Sequence, residues 1–367
     1  MMIDFGIKTF FSDVKNALTS TRILGIDIGT TSIKLLEVGK KGETLTLENY
    51  GILETKDYLS RGNAAIQTSA LKISERDTAQ LLNVLLREVQ PKTKNAIVSI
   101  PIYNAFFVTI DMPSLPPHEA ASALQFQAKQ YIPLPMDQVN IEWVEMDAFQ
   151  NERGQDMRKY LLVAVPKAVI EMMKRLLGSV GVNLHALEVE HQSLIRSLLS
   201  PSDPITQIID IGGESTGIYI IEKGIAKRST QVDSAGSSLT KSLARTLDIS
   251  ALRAEDLKKR KGLLGSGGEY EISHALYPFL DIIFNECTRI RNEFERSSNK
   301  KVSEIILVGG GANLLGIDAY VKDVMGLPIK TTDSLRHITL PNEIEPIRKE
   351  LGRTFASTSG LALRFFV

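Results

Sequence analysis

Two stretches decide the fold: Arg22-Ile-Leu-Gly-Ile-Asp27-Ile-Gly29-Thr-Thr-Ser32 and Thr206-Gln-Ile-Ile-Asp210-Ile-Gly212-Gly-Glu-Ser-Thr216. In each, an apolar run reads as a buried strand that ends in an acid, and a glycine turn brings the next strand back beside it. Without side chains, such a turn lets backbone N–H groups approach an anion closely. The adjacent hydroxyls, Thr30, Thr31 and Ser32 in the first copy and Ser215 and Thr216 in the second, can donate to phosphate oxygens. Asp27 and Asp210 offer hard oxygen to Mg²⁺, through retained waters. One such turn alone also fits an ordinary hairpin. Two copies, in corresponding places of two half-chains, point to a pseudo-symmetric clamp on a polyphosphate.

Outward from these turns, strand runs alternate with helical ones, which argues for mixed α/β domains. Residues 22–200 read as a first domain and 204–340 as a second, with 341–367 returning to the first. Within the first, 95–165 reads strand, strand, helix, strand, strand, an insertion subdomain. Within the second, 236–300 is a helical subdomain interrupted by Gly265-Ser-Gly-Gly268. A third glycine element, Val308-Gly309-Gly310-Gly311-Ala312-Asn313, follows a buried strand and precedes a helix. It removes side chains where a flat ring or sugar can lie against backbone; it also fits a strand-to-helix turn that needs positive φ. A fourth, Ala254-Glu255-Asp256-Leu257-Lys258, sets an acid and a lysine on one helix face, where one can bond a ribose hydroxyl and the other a ring or phosphate. Alone, such a charge run reads as a solvated face.

The order of these four elements resembles the actin, sugar-kinase and heat-shock-chaperone superfamily, with its two phosphate motifs, ribose motif and adenosine motif. The 95–165 insertion, the helix Glu286-Cys-Thr-Arg289-Ile-Arg-Asn-Glu-Phe294 and the ending Gly360-Leu-Ala-Leu-Arg364 are similar to the FtsA/PilM branch, and to PilM of type IV pilus machines within it. The resemblance runs from about Arg22 onward. It implies an actin-like (ribonuclease-H-like) two-domain ATPase fold. Asp27 and Asp210 would then hold hydrated Mg²⁺, and Gly29, Thr30, Thr31, Ser32, Lys34, Gly212, Gly213, Glu214, Ser215 and Thr216 would cradle the phosphates of ATP. Glu255 and Lys258 would face the ribose, and Gly309, Gly310, Gly311, Ala312 and Asn313 would line the adenosine pocket. Glu190 is the nearest match to the residue that orients an attacking water in related filament proteins.

The function so implied is an ATP-binding cytoplasmic scaffold of type IV pilus assembly, with at most slow hydrolysis. Its partner would be the short cytoplasmic tail of a PilN-like inner-membrane protein, along with other pilus assembly components, and its membrane association would be indirect. Ile102, Tyr103, Phe106, Phe107 and Leu115, interleaved with prolines, are the candidates for that tail's groove, or else for the insertion's own small core. Self-association is a further candidate interaction; an FtsA-like, polymer-forming division protein and a small-molecule kinase are the alternatives.

Composition narrows the field. Lys+Arg and Asp+Glu stand at 43 each, so no global field draws in nucleic acid or an anionic membrane. The single Cys287 has no partner for a disulfide and no zinc pattern around it, which suits a reducing compartment. No stretch approaches the ~20 apolar residues of a membrane span. The amphipathic segment 1–21 sets Ile3, Ile7, Phe10, Phe11, Val14 and Leu18 on one helical face. It either packs on protein or lies on a membrane surface. A cytoplasmic location is expected.

Overall fold

The computed structural model describes residues 6–7, 21–54, 75–264 and 270–366. After strand β1 (Gly6–Ile7), strands β2 (Arg22–Ile28), β3 (Ser32–Lys41) and β4 (Thr44–Glu54) make an antiparallel meander. Helix α1 (Glu75–Val89) leads to β5 (Asn95–Ile100), parallel to β2. Then come β6 (Phe106–Pro113), α2 (Pro117–Ala128), β7 (Val139–Gln150) and β8 (Asp156–Pro166). Helix α3 (Lys167–Ser179), β9 (Asn183–Val189) and α4 (Glu190–Leu198) finish the first half.

The second half starts the plan again. Strands β10 (Thr206–Ile211), β11 (Thr216–Glu222) and β12 (Ile225–Val232) form another antiparallel meander. Helices α5 (Gly236–Thr246), α6 (Ala251–Lys261) and α7 (Tyr270–Ser298) precede β13 (Glu304–Val308), parallel to β10. Helices α8 (Ile317–Met325), α9 (Arg348–Thr354) and α10 (Ala356–Leu363) follow. The sheet orders are β1-β9-β5-β2-β3-β4 and β12-β11-β10-β13. The segments β4-β3-β2-β5 and β12-β11-β10-β13 therefore share order and strand directions, which is the duplication the two acidic turns announce.

Strand β2 is apolar on both faces because both are covered. Leu24 and Ile26 pack with Leu82, Leu85 and Leu177 of α1 and α3, whereas Ile23 packs with Phe355 and Leu361 of the returning helices. Gly25 fits this second face: a Cβ there would overlap the Thr358 carbonyl oxygen and lie 3.0 Å from its carbon, so α10 rests on β2 at backbone contact. The chain returns earlier than residue 341. Thr339 exchanges backbone hydrogen bonds with Leu45 (2.8 Å) and Leu47 (2.9 Å) of β4, and Leu335 and Ile338 are buried in the same cluster as Phe355.

The insertion also starts later than expected. β5 is hydrogen-bonded to β2 and β9 of the main sheet, so the separate three-stranded sheet, order β6-β8-β7, begins at Phe106. Strand β8 alternates: Leu161, Val163 and Val165 face the first domain's core, and Tyr160, Leu162 and Ala164 join Leu124 of α2 in the subdomain's own. Gly6–Ile7 pair antiparallel with β9 rather than continuing a helix. The rest of the amphipathic segment and the 265–268 run lie outside the described residues.

Helices α4 and α10 join the halves and touch closely: a Cβ at Gly360 would overlap the Ser193 carbonyl oxygen. Ser193 Oγ and Ser357 Oγ are 3.2 Å apart, and Ser197 Oγ donates to Ala356 O at 2.9 Å. Arg196 grips Glu188 with two nitrogens, at 2.5 and 2.8 Å, and donates to Gly360 O at 2.9 Å. His191, on α4, is buried between the rings of Phe107 and Tyr219. Burial pushes its pKa down to about 4.

Candidate functional site

The two turns close alike, with Gly29 N–H donating to Ser32 O at 3.0 Å and Gly212 N–H to Ser215 O at 3.1 Å. They meet across the cleft. A Cβ built on Gly213 would overlap the Thr31 hydroxyl and lie 2.7 Å from the Thr31 Cβ and 2.8 Å from its Cγ2. The start of α5 ties down the second turn: Gly236 N–H donates to Gly212 O (3.2 Å) and Ser237 N–H to Gly213 O (2.7 Å). Gly309 adopts φ +84°, and a Cβ there would collide with Asp210 Oδ1, so the third glycine element presses directly on the second acidic strand end.

Three carboxyls converge at the strand ends. Asp27 is buried, accepts from Ser99 Oγ at 2.6 Å and lies 3.8 Å from Lys34 Nζ. Lys34 reaches it because the β2–β3 register sets the two residues opposite each other. Glu190, the first residue of α4, is partly buried. Desolvation, then the charges of Asp210 and Asp27, hold its pKa well above the carboxylate range. Desolvation also raises Asp210, with Lys34 opposing. A hydrogen bond between the two carboxyls raises Glu190 further and opposes the rise of Asp210.

On the opposite wall, Lys258 Nζ is buried and donates to Gly236 O (2.9 Å), Thr240 Oγ1 (2.8 Å) and Glu255 Oε2 (2.7 Å). The Thr240 hydroxyl donates to the same Glu255 oxygen. Lys259 reaches across the cleft to Glu54 at the end of β4 (3.0 Å) and lies 3.7 Å from Glu255 Oε1. Asn313 Nδ2 donates to Thr354 Oγ1 at 2.9 Å, and Arg353 donates to Ala312 O and, at 2.6 Å, to Asp318.

These walls enclose a cavity of about 880 Å³, within the range of small-molecule sites. Of the residues expected from sequence, Thr31, Ser32, Lys34, Gly212, Gly213, Glu255, Lys258, Gly310, Gly311 and Asn313 line it. The others stand elsewhere in the same constellation. Asp27 and Asp210 end the strands beneath the two turns; Gly29, Thr30 and Ser215 belong to the turns themselves; Gly309 and the buried Ala312 buttress the glycine wall. Glu214 lies 3.9 Å from Lys241. The Thr216 hydroxyl is buried and donates to Ser234 O at 2.7 Å, a contact that pins β11.

Sequence reasoning missed Ser99, Thr240, Glu54, Lys259 and Arg353. Only Lys259, four residues after Glu255 on one helix, carries a local signal; the others arrive through long-range pairing. The insertion's apolar residues are less exposed than their sequence suggested. Ile102 is buried against α4, Phe107 packs on His191, and Phe106 and Leu115 pack on the subdomain core; Tyr103 stands out at 53% exposed.

The sequence pattern of "Type IV pilus assembly protein PilM" matches residues 25–366. The chain is similar to cell division protein FtsA of Enterococcus hirae, 20% identical over 351 residues, 84% of this chain and 77% of FtsA. Its fold is similar to that in the PilM–PilN type IV pilus biogenesis complex, with a TM-score of 0.76 and 21% identity over 94% of this chain and 98% of that one. It is also similar to MreB5 of Spiroplasma citri bound to AMPPNP, with a TM-score of 0.51 and 14% identity over 93% and 95% of the two chains. The duplicated sheets around a glycine-walled cleft, together with a pattern that spans nearly the whole chain, make this chain a member of the PilM family of type IV pilus assembly proteins, built on an actin-like fold.

Proposed function

We propose that the chain is an ATP-binding scaffold of type IV pilus assembly, whose shape rather than turnover does the work. The observation that carries this reading is the meeting of two equivalent glycine turns at Thr31 and Gly213, on the edge of a cavity walled by Gly310 and Gly311. Phosphates would lie against the two turns, and the ribose would lie beside Glu255 and Lys258. MreB5, which shares the fold, is bound to AMPPNP.

Mg²⁺ fits this donor set. Asp27 and Asp210, near the ends of the strands beneath the two turns, offer hard carboxylate oxygens to a cation that keeps several of its waters. Asp27 and Asp210 would hold those waters, and the crowding of three carboxyls around one lysine favours added positive charge. When bound, the ion would neutralise phosphate charge. Glu190 faces Asp210 at the start of α4, where it would orient a water, and any hydrolysis would be slow.

The partner reading extends from the small subdomain. Strand β6 is an outer strand of its sheet, and an outer strand can accept an extended peptide. The related solved structure is a PilM–PilN complex, and we assign to this edge, with Tyr103 beside it, the short cytoplasmic tail of a PilN-like inner-membrane protein. No helix among the described residues is long and apolar enough to cross a membrane, so recruitment would run through that partner. Calorimetry tests both parts. Asp27→Ala and Asp210→Ala should each weaken ATP binding about tenfold or more, about 1.4 kcal/mol; unchanged affinity in both removes the cleft assignment. A tail peptide should lose affinity for Tyr103→Ala and Thr109→Pro variants that still bind ATP, and equal binding by both moves the groove elsewhere.

A further inference from the structure

Lys227 is a buried lysine outside the cleft. It lies on β12 of the second domain with its side chain 6% exposed. Its ammonium donates to Met146 O at 2.9 Å and to Asp147 Oδ2 at 2.8 Å, both on β7 of the small subdomain. Strand β7 is shaped to offer these acceptors. Its register against β8 slips between Glu145 and Asp147, which leaves Met146 as a bulged residue with no opposite partner. On the second-domain side Glu222 lies 3.9 Å from Lys227 Nζ and is itself held by Lys300 at 2.6 Å. Ile225, two residues before Lys227, shares a buried cluster with Val144, Met146, Leu161 and Val163. The small subdomain thus grips both domains.

That grip crosses a boundary that must move if the cleft opens. The small subdomain is chained to the first domain at both ends, through β5 and α3, and its β7–β8 face packs into the first domain's core. It travels with the first domain. The second domain hangs on α4 and α10, so a rotation that parts Thr31 from Gly213 also strains the contact between β12 and β7. Strand β12 runs on from Lys227 to Val232, and Gly236 shortly beyond it donates to Gly212 of the second turn. One strand therefore connects the tie to the phosphate end of the cavity.

We propose that Lys227 locks the small subdomain onto the second domain, and that nucleotide leaves the cleft only after Lys227 lets go of Met146 and Asp147. This rests on the nucleotide reading above. Charge-assisted hydrogen bonds are the stronger kind, and a buried ammonium deprived of acceptors is disfavoured, so the closed arrangement is held. Lys227 acts as a positioning residue: it lies outside the lining of the cavity and works by keeping the two turns together.

The test is the release rate of ATP carrying a methylanthraniloyl fluorophore, chased with unlabelled ATP in a stopped-flow instrument. Lys227→Met keeps the aliphatic stem and removes every donor; release should quicken about tenfold or more. Asp147→Ala removes one acceptor from a half-exposed side chain and leaves Met146 O, so release should quicken about two- to fivefold. Association should change by less than about twofold. A variant that is only less well folded would show a smaller bound fraction with the wild-type release rate. If Lys227→Met does not fold, Asp147→Ala decides. Wild-type release rates in the folded variants overturn the lock, whereas a wild-type protein that binds no labelled ATP overturns the nucleotide reading instead.

Discussion

Gly213→Ala is the smallest change that should separate the two turns. The added methyl would overlap the Thr31 hydroxyl, and rotation of Thr31 does not relieve it, because the Thr31 Cβ itself stands 2.7 Å from the new carbon. Bringing that 2.7 Å to the 3.4 Å of ordinary contact takes a shift of about 0.7 Å between elements of different domains. Overpacking of this kind costs about 1–3 kcal/mol. The strain falls where the two turns meet, the place proposed to hold phosphate, so it should appear as lost nucleotide affinity, roughly tenfold to a hundredfold. Calorimetry with ATP and Mg²⁺ measures the loss, and thermal unfolding with and without nucleotide checks it. The double variant Thr31→Gly, Gly213→Ala removes the three nearest contacts of the new methyl and should recover part of the binding that the single variant loses, the Thr31 hydroxyl being lost with them. If Gly213→Ala binds ATP as the wild type does, the turns do not need to touch and the clamp is misread.

Two further outcomes follow from buried polar groups. Arg196→Ala leaves Glu188 charged and enclosed, and should destabilise the protein by about 3–5 kcal/mol in chemical denaturation; a loss below about 1 kcal/mol would mean that water reaches the site. His191 is held neutral with a pKa of about 4, against an unfolded value near 6.5. The unfolded state therefore binds the extra proton between those limits. The contribution is complete above pH 6.5 and drains away as pH falls to 4, by about 3 kcal/mol in all. Urea midpoints at pH 7 and 5 should differ less in His191→Gln than in the wild type, and an equal slope would remove His191 from the account.

Much of the cleft was legible because its parts are local. Each acid, its glycine turn and the start of the returning strand are contiguous in the chain, and Glu255 meets Lys258 through helical spacing alone. What was hidden depends on contacts between distant segments. Strand β5 looked like the start of the insertion because a short apolar run carries no mark of its partner; its pairing with β2 and β9 decides. Ile102 and Phe107 looked exposed because α4, which covers them, comes about 90 residues later. Thr216 has the same chemistry as Ser215, and only the nearby Ser234 carbonyl turns its hydroxyl inward. Gly25 and Gly360 read as ordinary glycines until two helices are seen resting on them.

The seating of α10 on β2 at Gly25 has a consequence for how the chain reaches its native state. One face of the central strand of the first sheet, with Ile23, is covered by residues more than 300 positions downstream. During synthesis the first domain stays unfinished while the second is being made, with an apolar sheet face bare, the kind of surface on which chaperones act. Such distant contacts also slow folding, since the loop must close before its contacts form. A cut between the two halves should therefore yield a second domain that folds and a first domain that aggregates, unless residues 335–363 are supplied to it as a separate peptide.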